Sequence, residues 1–238
     1  QSINGMVVTS HFLATSSALE VLKKGGNAID AAVTAAFSLA VVQPRSGNIG
    51  GGGFMLVSSA EDNEVYAIDY REKAPISAAK NMFLKQNEEV DTDLSRYSHL
   101  AAGVPGTVAG LALALEKFGT ISLQQALAPA IKLAEDGFVV TPRFSEGIEK
   151  RAKRLKQWQS SKKIFFKDDG SVYKPGDRFI QKDLAATLQR ISNHGFREFY
   201  EGKTARLTVD EMEKHGGLIT MEDLADYSPV IRKPVSGN

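Results

Sequence analysis

The chain has 238 residues, enough for one large domain or two small ones, and 42% of them are hydrophobic, which is ordinary globular usage and argues for a sizeable core rather than disorder. Lysine plus arginine (29) nearly cancels aspartate plus glutamate (28), so the chain as a whole has no electrostatic pull toward nucleic acid or an anionic membrane. There is no cysteine, which excludes disulfides, thiolate catalysis and cysteine-based metal sites.

The start, Gln1-Ser2-Ile3-Asn4-Gly5, lacks the charged and apolar regions of a signal peptide, so any such segment is expected to precede this numbering. Met6-Val7-Val8-Thr9 reads as a short buried strand. Thr9 or Ser10 is placed to cap a helix with Ala14, Ala18, Val21 and Leu22 on its apolar face, stopped by Gly25-Gly26. Asn27 caps the next helix, with Asp30 in its first turn, where the dipole favours a negative charge. That helix is apolar on nearly every side as far as Val42 and ends before Pro44. It is too short to span a bilayer. After the run Gly47-Asn48-Ile49-Gly50-Gly51-Gly52-Gly53, the segments from Phe54 to Ser59 and from Val65 to Asp69 predict a hairpin. The remainder alternates helices with glycine stops. Ser122 with Gln125 opens one that closes at Gly137. Thr141-Pro142 opens another. Further helices run from Asp183 to Asn193 and from Thr204 to Lys214, and Thr220 with Asp223 opens a last one. This order suits a layered α+β domain better than regular βαβ repeats.

The glycine run does not fit a phosphate loop. It lacks Gly-Lys-Ser/Thr and opens a strand where such loops open a helix. Its glycines offer bare backbone for close approach by a ligand or another chain segment; the plainer reading is a tightly packed turn. Asp69-Tyr70-Arg71-Glu72-Lys73 sets ionisable groups at a strand end. Arg71 offers a planar fork for a substrate carboxylate, or else a structural ion pair with Asp69 or Glu72. The four histidines, His11, His99, His194 and His215, have no helical metal spacing, so no helical metal pair is expected; no metal and no cofactor is part of this reading. His194 and His215 precede helix-ending glycines and read as cap residues. No Gly-x-Ser-x-Gly elbow is present. The basic stretch 143–167 puts Phe144, Ile148, Ala152 and Leu155 on one helical face, which leaves its charges on a solvated face and argues against nucleic-acid binding.

Several segments together resemble the γ-glutamyltranspeptidases. They are Lys24-Gly25-Gly26-Asn27-Ala28-Ile29-Asp30-Ala31-Ala32-Val33, the run from Gly47 to Met55, Asp69-Tyr70-Arg71-Glu72-Lys73-Ala74-Pro75, and Gly103-Val104-Pro105-Gly106-Thr107-Val108-Ala109-Gly110. Pro129 to Ala134 and Gly216 to Leu224 continue the match in the same order. The resemblance implies the N-terminal-nucleophile hydrolase fold, an α+β four-layer αββα sandwich, with residues 1–238 forming part of the large subunit of a single domain. A small subunit from the same self-cleaved precursor would complete it and supply the nucleophile, its N-terminal threonine, so no catalytic residue is expected in this chain. It implies transfer of a γ-glutamyl group from glutathione or a related amide to an amino acid, a peptide or water, in a periplasmic or secreted setting. Arg71 then matches the arginine that binds the donor α-carboxylate, and Gly50, Gly51, Gly52 and Gly53 lie near the same site. Arg45, near the same site, departs from the small or amide residue that the family carries just before that loop. The large subunit is expected to continue past Asn238. Alternatives are a related amidase, such as a cephalosporin acylase or a poly-γ-glutamate-processing enzyme, and a non-catalytic scaffold on the same fold.

Overall fold

A computed structural model describes residues 5–237. In chain order the helices and strands are α1 (Phe12–Lys23), α2 (Ala28–Val42), β1 (Phe54–Ser58), β2 (Val65–Asp69), α3 (Leu94–Tyr97), α4 (Thr107–Phe118), α5 (Leu123–Glu135), β3 (Phe138–Val139), α6 (Pro142–Glu149), α7 (Ala152–Leu155), α8 (Gln159–Phe165), β4 (Arg178–Phe179), α9 (Lys182–His194), α10 (Arg197–Glu201), α11 (Lys203–His215), α12 (Met221–Ala225) and β5 (Val230–Arg232). They fall into two compact units. One runs to Asn48 and resumes over Gln124–Gln189; the other comprises Ile49–Leu123 and the residues from Arg190 onward.

In the first unit, α1 and α2 pack through small residues. Ala18 meets Ala31 and Ala35, with Val7, Val21 and Leu22 laid against them. The segment from Met6 to Thr9 is not a strand. Val7 packs inward against the α1–α2 core, while Met6 and Val8 are 71% and 82% exposed. The α1 cap is also not Thr9 or Ser10. The Thr9 hydroxyl is already engaged with the backbone of His11, accepting from its N–H at 3.2 Å and donating to its C=O at 2.8 Å. His11 takes over, its Nδ1 accepting from the Leu13 N–H at 3.3 Å. Asn27 caps α2 as expected. Its side chain accepts from Ile29 and Asp30, and Asp30 returns a bond to the Asn27 N–H, the reciprocal box that satisfies exposed donors at a helix start. The core of the later segment is aromatic. Phe138 and Phe179 face each other across the β3–β4 pair, and Phe144, Phe165 and Tyr173 all contact Phe179. The single helix expected from Thr141 breaks into α6, α7 and α8. From Lys150 to Lys156 the chain sets like charges at helical spacing, Lys150 with Arg154 and Lys153 with Lys156, which weakens a continuous helix there.

The second unit is built on an antiparallel sheet ordered β1-β2-β5. The β1–β2 register pairs Phe54 with Asp69 and Ser58 with Val65, and β2 pairs Asp69 with Val230. With side chains alternating, Val57 and Ile68 fall on one face and are buried. The other face carries Phe54, Leu56, Val65 and Val230, which are 64%, 70%, 45% and 41% exposed. Helix α4 has a fully buried face of Val108, Leu111 and Ala114. β5 was not foreseen, because a strand of three residues, set between Pro229 and Pro234, is too short for an alternating pattern to show.

Candidate functional site

The site residues of the second unit gather where β2 ends. Asp69 is the last ladder residue, and Tyr70, Arg71 and Glu72 follow it. Asp69 does not pair with the Arg71 guanidinium. Its Oδ1 accepts from the Arg71 backbone N–H at 3.0 Å, and its Oδ2 takes Arg232 Nε at 2.7 Å. The Arg71 N–H first, and Arg232 second, hold the Asp69 carboxyl below the usual carboxylate range. The Arg71 side chain is 61% exposed and its Nε lies 3.3 Å from Glu72 Oε2, with its guanidinium 6.0 Å from the centre of the Phe54 ring. Among the described residues its two Nη groups have no hydrogen-bond partner, so the outer edge of the fork faces solvent. That edge is the geometry a carboxylate accepts from.

The glycine run is packed against this strand end. The Gly51 carbonyl accepts from the N–H groups of Gly106 and Thr107, at 2.7 and 3.0 Å, and the Tyr200 hydroxyl accepts from Ala109 N–H at 3.1 Å. Together they satisfy donors that the start of α4 leaves without intrahelical partners. A β-carbon on Gly52 would collide with the Tyr70 carbonyl and stand 2.8 Å from the Glu72 nitrogen, whereas one on Gly50 would meet nothing. The Gly53 N–H is bonded to the Tyr70 carbonyl at 3.3 Å. The tight-packing reading therefore holds for Gly52 and Gly53, and Gly50 is the exposed member of the run. None of these three adopts a left-handed φ. Arg45 belongs to the first unit, where it is exposed in the turn after α2.

Sequence reasoning missed three tyrosines around Arg71. Tyr70 lies against Gly53 and Gly110, and burial pushes its phenol up. Tyr200 is fully buried; it donates to the Pro105 carbonyl at 3.0 Å and stacks on Tyr227 with centroids 5.7 Å apart. Tyr227 donates to the Arg71 carbonyl at 2.9 Å, and burial, with the charges of Asp69 and Glu72, pushes it up to about 12. The one signal in the sequence was Gly106 and Gly110, whose missing side chains make room for these rings. Elsewhere in this unit, His215 does more than close α11. It stacks on His99 at 4.7 Å, and the Nε2 atoms of both histidines lie 3.6 Å from Glu211 Oε1. No group of three or more histidine, aspartate or glutamate side chains able to hold a metal ion occurs among the described residues.

The sequence profile of the γ-glutamyltranspeptidase family matches residues 14–238. The chain is 46% identical over 235 residues to a glutathione hydrolase proenzyme of Escherichia coli strain K12, covering 98% of this chain and 40% of that protein. The crystal structure of Helicobacter pylori γ-glutamyltranspeptidase superposes with a TM-score of 0.98 at 49% identity, over 100% of this chain and 68% of the other. A γ-glutamyltranspeptidase from Pseudomonas nitroreducens, complexed with L-DON, gives 0.91 at 42% identity, over 98% of this chain and 68% of the other. These likenesses define an α+β chain with the fold of the large-subunit part of an N-terminal-nucleophile hydrolase. The chain belongs to the γ-glutamyltranspeptidase family. It spans about two-fifths of the length of the curated relatives it matches, for instance 40% of the Escherichia coli protein.

Proposed function

We propose that this chain supplies the donor-binding part of a γ-glutamyltransferase and glutathione hydrolase, and that Arg71 binds the α-carboxylate of the γ-glutamyl group. The observation that carries this reading is the guanidinium of Arg71. It lies beside Glu72 on its inner side and presents its Nη groups to solvent, and the resemblance of Asp69-Tyr70-Arg71-Glu72-Lys73 to the family's motif supports the same reading. A γ-glutamyl donor carries its α-carboxylate far from the bond that breaks. Fixing that end orients the amide toward a nucleophile, so remote binding energy becomes positioning. The nucleophile, in this reading, is the N-terminal threonine of a small subunit, its own amine serving as base; acceptors are amino acids, peptides or water. Gly50 to Gly53 border the same site. The bare apolar face of the β1-β2-β5 sheet, with Phe54 and Leu56 outward, supports a partner that covers it, as a second sheet does in a layered sandwich. Residues 1–238 then form part of one domain shared with that subunit, in a periplasmic or secreted enzyme. No helix of the described residues is long and apolar enough to cross a membrane.

The test is kinetic, in the complete self-cleaved enzyme. Arg71→Ala is expected to lower kcat/KM for γ-glutamyl donors by about 100-fold, the loss of a charge-assisted pair. Arg71→Lys should recover only part, because it keeps the charge without the fork. The loss should shrink for a donor analogue lacking the α-carboxylate. Unchanged donor kinetics in Arg71→Ala would make Arg71 a structural partner of Glu72 and nothing more. The chain alone should not turn over a chromogenic γ-glutamyl anilide.

A further inference from the structure

We infer that Tyr227 is a positioning residue for Arg71, the central anchor of a clamp in which residues 223–232 hold the strap 69–76 that carries the arginine. The inference rests on the reading of Arg71 as the donor-carboxylate ligand.

Arg71 lies two residues beyond the last β1–β2 ladder pair, Phe54 with Asp69. A residue past a strand end has no ladder to fix it, and its backbone groups ordinarily go to water. Here both are held. The Arg71 N–H donates to Asp69 Oδ1 at 3.0 Å, and the Arg71 carbonyl accepts from Tyr227 Oη at 2.9 Å. The same stretch of chain holds the strap at both ends as well. Arg232 Nε reaches Asp69 Oδ2 at 2.7 Å, and Asp223 Oδ1 accepts from the Ile76 N–H at 2.6 Å. Asp223 is itself fixed, because its other oxygen completes the capping box with Thr220 at the start of α12.

Tyr227 is built to hold one position. It is 3% exposed, and its ring is stacked on Tyr200 at an interplanar angle of 9°. Tyr200 is in turn tied at its hydroxyl to Pro105 and Ala109. Lys73 Nζ sits 5.1 Å from the centre of the Tyr227 ring. A β-carbon on Gly106 would run into the Tyr227 hydroxyl, so the glycine is what lets that oxygen reach the strap. The hydroxyl is thus delivered to the Arg71 carbonyl by a buried, stacked ring, while the Arg71 side chain stays exposed. An exposed arginine on a loose strap would lose conformational freedom on gripping a carboxylate; a strap already fixed spares that cost.

The experiment compares variants of the complete enzyme on two donors, one with the α-carboxylate and one without. Tyr227→Phe keeps the ring, the stack on Tyr200 and the Lys73 contact, and removes only the hydrogen bond to Arg71. It should raise KM for the carboxylate-bearing donor about fivefold, the effect of one neutral hydrogen bond, and leave kcat within about twofold. It should leave the donor without the carboxylate, and the rate of self-cleavage, unchanged. In an Arg71→Ala background the same substitution should add nothing, since the two residues act through one contact. Arg232→Ala, at a largely exposed side chain, loosens the other end of the strap. It should raise the same KM in the same selective way, and it gives the answer should Tyr227→Phe fail to mature. If Arg71→Ala raises KM but Tyr227→Phe does not, or if Tyr227→Phe affects both donors alike, the positioning role is wrong while the Arg71 reading stands. If Arg71→Ala itself leaves the carboxylate-bearing donor unaffected, both fall together.

Discussion

The ring of Tyr70 occupies the space in which a side chain on Gly110 would stand. A β-carbon there would collide with Cβ, Cγ and Cδ1 of the tyrosine. Gly110 is an interior residue of α4, where glycine is unfavourable by about 1 kcal/mol relative to alanine in an open helix. The packing of Tyr70 reverses that preference. Gly110→Ala is expected to lower stability by about 1–3 kcal/mol, as overpacking does. Thermal unfolding of the variant checks it; a rise in Tm would mean that Tyr70 can move aside at no cost.

Within the glycine run the effect should depend on position. Gly52→Ala places its β-carbon against the Tyr70 carbonyl and the Glu72 nitrogen, which are backbone atoms and cannot rotate away. Gly50→Ala meets open space. The first should destabilise by about 2 kcal/mol or more and the second by less than about 0.5 kcal/mol. Equal denaturation midpoints for the two variants would refute this division of the run.

Tyr200 bridges the start of α4 through two bonds, to Pro105 and Ala109. Tyr200→Phe preserves the stacked ring but leaves a buried N–H and a buried C=O without the hydroxyl. A cost of about 1–3 kcal/mol is expected from the unsatisfied groups. Hydrogen exchange should show the Ala109 amide losing protection first.

Glu198 is 8% exposed and binds three groups. Its carboxylate accepts from the Thr204 N–H at 3.1 Å and from the Thr204 hydroxyl at 2.7 Å, and it lies 3.3 Å from Arg190 Nε. Glu198→Ala would take the carboxylate away from a largely buried guanidinium, which keeps its bonds to the Thr204 hydroxyl, and is expected to cost about 3 kcal/mol. Glu201→Ala, which breaks the exposed pair with Arg197 on the same helix, should cost less than about 1 kcal/mol. Urea unfolding of the two variants measures the contrast.

Stability should also fall in alkali for a specific reason. Tyr227 is pushed up to about 12 and Tyr200 higher still, in both cases mainly by burial. A raised phenol pKa means that the folded state holds its proton more tightly than the unfolded chain, where tyrosine titrates near about 10. The associated stabilisation is complete below about pH 10 and is lost as pH rises from there through about 12. Unfolding free energy measured at pH 9 and at pH 11.5 should therefore drop more in the parent protein than in Tyr227→Phe. Equal slopes would mean that Tyr227 titrates as an exposed phenol.

The sequence determined what depends on neighbours along the chain. Asn27 with Asp30, Thr141 with Pro142 and Thr220 with Asp223 were readable as helix starts, because a cap is satisfied within three or four residues. Gly137, Gly195 and Gly216 were readable as stops and do adopt positive φ. The β1–β2 hairpin and the place of Arg71 at its end were likewise local. Other features were settled by contacts that no local pattern encodes. β5 is strand only because β2 offers it an edge. Asp69 went to Arg232 and to a backbone amide instead of the Arg71 side chain, which left that guanidinium facing outward. Tyr227 stands 156 residues from the carbonyl it binds, and nothing between them in sequence records the meeting. Hydrogen bonds and packing act over a few ångströms in space, so the residue types at a site are legible along the chain, while the partners that aim and hold them are fixed only when the chain folds back on itself.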